Sequence, residues 1–294
     1  MVGMGRRMIE GVVKCPVSGC TLALDIVLRS CDQVFIGAHQ ANLARFSEGF
    51  PSSDEVTAPE KPIDLTETGE VLALLVHFMH KSRHPNLANI AKGKAPRKTL
   101  FALAEAAEKY AVYPAMCVCN LRIAEGMEDD LLDTFIYATK FDYLDIADRV
   151  APQLIDMNAT LIKRSLASAH SNVFLAWFRY REQFIEVADA MVDEPKELRS
   201  EAWRGVHDFV VSSLPKTTNG RLSLLKASVK KGGLPSFATE YLSKESTSWV
   251  GALVGAVCLP RVRAWEAECS QALAAVRPYS TFLGQDAALP GARH

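Results

Sequence analysis

Three histidines, His77, His80 and His84, stand at i, i+3 and i+7, a spacing at which imidazoles on one helix face can converge on a metal ion. Seven cysteines add candidate thiolates, with Cys15, Cys20 and Cys31 near the start and Cys117 and Cys119 further on. The local pattern argues against each set. His77 and His80 fall on the polar side of a segment whose other side is a continuous apolar stripe, and His84 opens the loop at Pro85. Cys117 and Cys119, two apart on a helix, point about 200° away from each other. Cys15, Cys20 and Cys31 have no zinc-finger spacing. No metal and no cofactor are therefore expected. A Gly-rich phosphate loop, a Gly-x-Ser-x-Gly elbow and a His-Glu-x-x-His helix are absent from the sequence. Sequence order alone assembles no nucleophile–base–acid set. No catalytic residue is assigned, and the chain is expected not to be an enzyme. Asp25 and His39 remain as polar residues at a strand–helix corner, where a buried polar pair would fix the local geometry.

The segment that must position them runs from Leu22 to Phe50. Asp25–Arg29 is a short β-branched run, Ser30-Cys31-Asp32-Gln33 supplies turn residues, and Val34-Phe35-Ile36 reads as the return strand. A helix follows with Leu43, Phe46 and Phe50 spaced for one buried face. Ile63-Asp64-Leu65 predicts a third strand. Thr66 or Thr68 caps the next helix, with Glu70 in its first turn. That helix buries Val71, Leu72, Leu74, Leu75, Phe78 and Met79. A basic linker with Lys92, Lys94, Arg97 and Lys98 leads to a helix over Thr99–Ala111, with Glu105 and Lys109 as an i, i+4 pair. Tyr113-Pro114 opens another helix, and Gly126 closes it.

From Met127 onward the pattern is helical. Leu131–Lys140 and Asp142–Leu154 read as a helical hairpin, with Asp142 capping its second helix. Val173, Phe174, Trp177, Phe178, Phe184, Ile185 and Ala188 mark the most amphipathic stretch, expected to pack its aromatic face against Leu198–Val211. A last helix carries Trp265, Cys269, Leu273 and Val276. Residues past Gly284 have the composition of a frayed tail.

Composition limits the function classes. With 294 residues, 49% hydrophobic and 23% charged, the chain is a globular protein. A net charge of −1 provides no general attraction for nucleic acid or an anionic membrane. The seven irregularly spaced cysteines fit a reducing compartment, and the start lacks the apolar core of a signal peptide. The most apolar run, Trp249–Leu259, is about half the length needed to cross a bilayer. A cytoplasmic or nuclear location is expected, with neither membrane nor direct nucleic-acid binding.

The order of these elements, with Asp25-Ile26-Val27-Leu28-Arg29-Ser30, Val34-Phe35-Ile36-Gly37-Ala38-His39, Phe46-Ser47-Glu48-Gly49-Phe50, Leu74–His80 and Leu103–Tyr110, resembles the BTB/POZ domain. The wording is similar to the BTB proteins expanded in mushroom-forming fungi, and the helices after Met127 resemble the BACK-type extension. The resemblance implies an α+β fold, a small sheet covered by helical hairpins, followed by an all-α region. It divides the chain into a poorly ordered segment (1–20), a BTB unit (21–127), a helical extension (128–280) and a flexible tail (281–294). It also implies a non-enzymatic interaction module: self-association, or adaptor work for a cullin-type ubiquitin ligase. The partner-facing positions would be Asp25, His39, Phe50 and Val56. Two features depart from the family. Met1–Gly11 has no apolar helical stripe for subunit exchange, and Val56-Thr57-Ala58 does not supply the hydrophobic-x-Glu motif of cullin-docking members. A nuclear transcriptional co-regulator is the alternative function, and an unrecognised hydrolase would need a pocket of converging polar groups.

Overall fold

A short hairpin opens the described part of the chain because Ser30 closes its turn from both sides. Its N–H bonds the Val34 carbonyl at 3.0 Å, its hydroxyl accepts from Val34 N–H at 2.8 Å, and Gln33 takes φ 64° between them. The computed structural model describes residues 13–50, 62–87, 94–166, 171–193, 201–231 and 249–283. β1 (Ile26–Arg29) pairs antiparallel with β2 (Phe35–Ala38), Arg29 opposite Phe35. β3 (Ile63–Asp64) joins β1 in parallel, giving the order β2-β1-β3. The protein is thus α+β, with a small sheet and predominantly helical structure.

The chain divides into two compact units, with the boundary between Asp133 and Thr134. In the first, α1 (Gln40–Phe46) buries Leu43. It ends before Phe50, because Ser47 and Gly49 turn away to bond the Tyr110 carbonyl. α2 (Gly69–Phe78) is capped by Thr68, whose hydroxyl accepts from Val71 N–H. The Asp32 carboxylate adds an acceptor for Gly69 N–H at 2.9 Å. Its hydroxyl bond from Ser30 and the Gly69 amide together hold this carboxyl below the usual range. α2 packs on β2 and on α3 (Lys94–Lys109), and α3 packs on α4 (Tyr113–Glu125).

Several expectations are corrected here. Residues 13–20 are tied to the fold at several points rather than loose. Val17 is buried, the Lys14 carbonyl accepts from Gly37 N–H at 3.1 Å, and the Pro16 carbonyl meets His77 Nε2 at 2.9 Å. That segment covers the side of α2 expected to face water, so His80 is buried and His77 partly so. α3 begins at Lys94, which turns part of the basic linker into helix and buries Arg97. Lys109 reaches across to Glu67 at 2.8 Å. Ala111, expected inside the helix, is its left-handed terminator at φ 49°, and Val112 N–H returns to the Ala107 carbonyl at 2.8 Å.

α5 (Leu131–Lys140), which begins just before the boundary and runs into the second unit, is terminated the same way. Asp142 stands at φ 59° and Tyr143 N–H bonds the Ala138 carbonyl, so Asp142 ends one helix instead of capping the next. α6 (Leu144–Val150) runs into a 3-10 turn over Ala151–Leu154, and α7 (Ala159–Ser165) is capped by Asn158. α8 (Ser171–Ala190) buries Val173, Trp177, Phe184 and Ala188 as expected, but Phe178 lies on the other side, 40% exposed. The cover also differs. α8 packs mainly on α10 (Thr218–Lys230), α11 (Trp249–Ala274) and the 3-10 turn Tyr279–Phe282, whereas α9 (Glu201–Ser213) packs on α11. Tyr279 and Phe282 are buried, and the Asp148 carboxylate holds both the N–H and hydroxyl of Ser280 at 2.7 Å. Phe282 therefore belongs to the core, not to a tail; the expected tail beyond residue 283 lies outside the described residues.

Candidate metal centre

Cys15 and Cys20 are brought to one point by a tight turn. Cys20 N–H bonds the Val17 carbonyl at 3.2 Å, and Gly19 takes φ +74°, the left-handed position such a turn requires. Between them the Cys15-Pro16-Val17-Ser18-Gly19-Cys20 stretch is anchored to the helix behind it through Pro16 and His77. His39 comes from the β2–α1 junction. It is the N-terminal cap residue of α1, in extended conformation, with its carbonyl already accepting from Asn42 and Leu43. His80 lies just past the C-terminal end of α2. Four residues from three separate segments thus meet, and their Sγ and imidazole nitrogen atoms all lie within 4.8 Å of one another.

The individual distances are 3.3 Å from Cys15 Sγ to His80 Nε2, 3.2 Å from Cys20 Sγ to His39 Nε2, and 3.7 Å from Cys20 Sγ to His80 Nε2. Each ring is oriented from behind. His39 Nδ1 is 2.8 Å from the Ala23 carbonyl, and His80 Nδ1 is 2.8 Å from the Val76 carbonyl. A carbonyl only accepts, so both Nδ1 atoms carry the proton. In the neutral rings both Nε2 lone pairs then face the sulfurs. Burial holds the His80 pKa below its ordinary value, against the opposing Val76 bond and with the neighbouring His39 and His77 rings assisting. Burial also raises the Cys15 thiol, partly offset by the Val17 amide and reinforced by Cys20. An open cleft of about 440 Å³ adjoins the group, lined by Cys20, His80, Asn42, Arg45 and Lys81.

The other candidate residues are placed as follows. Asp25 is exposed and accepts from Gln40 N–H at 2.8 Å, capping α1, while His39 bonds Ala23 and Cys20. Phe50 is buried and stacks on Tyr110 with ring centres 4.7 Å apart, so its role is in the core. Val56 lies outside the described residues. His84 stacks on Phe78, away from the group. Cys31 is exposed. Cys117 is exposed and Cys119 buried, on opposite sides of α4 as the helix angle requires. The four ligand residues converge only once residues from three segments are brought together. The usable signal was the Cys-Pro-x-x-Gly-Cys turn, a compact way to present two sulfurs, with two histidines contributed at long range.

No family model, curated protein or solved structure matches this chain.

Proposed function

We propose that this chain is a non-enzymatic protein-interaction adaptor whose first unit is a BTB/POZ-type domain. One face of α4 carries the reading. Tyr113, Cys117 and Leu121 stand at i, i+4 and i+8 and all face solvent, with Tyr113 54% and Leu121 56% exposed. The opposite face, Ala115, Cys119 and Ile123, is packed. An exposed stripe of this kind on a firmly seated helix suits a helix or groove of another protein. The sheet order β2-β1-β3, followed by helices packed in sequence, agrees with the layout that the resemblance implies. Of the two partners that the resemblance implies, a second copy of this chain and a subunit of a cullin-type ubiquitin ligase, we propose the second for this face.

Affinity purification of the full chain, beside a Leu121→Glu variant of equal thermal stability, tests this. A cullin-type subunit recovered in stoichiometric amount and lost by at least about tenfold in the variant, equivalent to roughly 1.4 kcal/mol, is expected. Recovery of chromatin proteins in its place would replace the ligase reading with the co-regulator one. Equal recovery with both proteins would remove α4 as the docking face.

A further inference from the structure

We propose that Cys15, Cys20, His39 and His80 form a tetrahedral Cys2His2 site for zinc, which staples residues 13–24 to the β2–α1 corner and to the end of α2. This inference stands independently of the adaptor reading.

The geometry carries it. With Zn–S near 2.3 Å and Zn–N near 2.0 Å, a sulfur and a nitrogen on a shared edge of a tetrahedron are about 3.5 Å apart. Three of the four sulfur–nitrogen pairs stand at 3.2, 3.3 and 3.7 Å, close to that value, and all four ligand atoms lie within 4.8 Å of one another. Two thiols and two imidazoles make the donor set that selects zinc by softness and by four-coordination. The carbonyls of Ala23 and Val76 complete the arrangement, because a metal-bound imidazole characteristically donates its remote N–H to an acceptor that fixes the ring. Four protein ligands fill a tetrahedron and leave no open position for substrate, so the site is structural.

The connectivity shows what it would hold. Residues 13–24 form no helix or strand, and of their side chains only Val17 is buried. Their backbone anchors are the Lys14, Pro16 and Ala23 carbonyls. A bond from zinc to each of Cys15 and Cys20 supplies the attachment that so little burial cannot. Binding free energy at such a site becomes folding free energy of the segment it closes.

The test uses the full chain. Protein purified without chelator is expected to contain one zinc per chain. Protein refolded with Co(II) should show the visible bands of tetrahedral cobalt together with thiolate-to-metal charge transfer, both absent from Cys20→Ser and His80→Gln but kept in Cys31→Ser. Thiol counting gives a reading that needs no variant. Cys31 and Cys117 are exposed, and Cys119, Cys258 and Cys269 are buried. Zinc-loaded protein should therefore present two fast-reacting thiols and chelator-treated protein four. A wild-type protein without the cobalt charge-transfer band would overturn the proposal. So would four fast thiols in the presence of zinc. Selective alkylation of Cys20 ahead of Cys31 in zinc-supplemented protein would also overturn it, identifying a Cys20–His39 nucleophilic pair in its place.

Discussion

Replacing Asp130 by Asn should destabilise the first unit more than replacing Arg97 by Met, although Arg97 is the larger and more deeply buried residue. Arg97 is 2% exposed, its Nε donates to Asp130 Oδ2 at 2.6 Å, and Asp129 stands 3.9 Å from Nη1. Its guanidinium lies over the Phe101 ring, 5.5 Å from the centre. Gly126 leaves the room it needs, since a Cβ there would stand 2.2 Å from Nη1. Removing one member of a dry ion pair strands the other charge and costs about 3–5 kcal/mol. Asp130 keeps 24% exposure, so water reaches the site and the lower end, about 3 kcal/mol, applies to Asp130→Asn. Arg97→Met leaves behind only the Asp130 carboxylate, which water reaches, and keeps an apolar chain in the buried position, at a cost of about 1 kcal/mol or less. The assay is urea unfolding followed in two ways. All four tryptophans, Trp177, Trp203, Trp249 and Trp265, lie in the second unit, so their emission reports that unit alone, whereas far-UV ellipticity reports both. Both variants should shift the transition seen only by ellipticity. A larger loss for Arg97→Met than for Asp130→Asn would show that the Asp130 carboxylate does not hold the buried Arg97 charge in place.

Other outcomes follow from the same contacts. Ala111 occupies a left-handed helix terminator, so Ala111→Gly should raise stability by about 0.5–1 kcal/mol in the same ellipticity transition. Burial alone would raise the Glu67 carboxyl, but bonds from Lys109, Tyr110, its own backbone and Thr66 outweigh it and leave the pKa below its ordinary 4.5. Its contribution is therefore present in full above pH 4.5 and lost as pH falls through the lower folded value, and Glu67→Gln should flatten the acid side of a stability–pH profile. In the second unit, Phe184→Ala should cost about 3–5 kcal/mol by tryptophan emission, whereas Phe178→Ser on the exposed side should stay within about 0.5 kcal/mol.

The sequence made the elements of the first unit readable because each carries its own boundary chemistry. The Ser30–Gln33 turn, the Thr68 cap and Pro114 appear in the structure as read, and the apolar spacing of α2 buries Val71, Leu72, Leu75 and Phe78. What was not readable depends on long-range packing. The polar side of α2 looked solvated because its cover, residues 13–20, carries no periodic signal of its own. Arg97 looked like linker because a charged residue directly after a proline seldom reads as a buried one. Ala111 and Asp142 were assigned to helix ends only by their backbone angles, since alanine has no preference for a left-handed position. The site was missed for the same reason. Its ligands lie 5, 19 and 41 residues apart along the chain, and only the fold brings His39 and His80 to the paired cysteines.

X-ray absorption at the zinc edge, recorded on the full chain purified without chelator, bears most directly on the central claim. A four-coordinate zinc with two sulfurs at about 2.3 Å and two imidazole nitrogens at about 2.0 Å is expected, with loss of one sulfur or of the metal in Cys15→Ser. A first shell of oxygen and nitrogen without sulfur, or protein that holds no stoichiometric zinc after refolding in its presence, would contradict it.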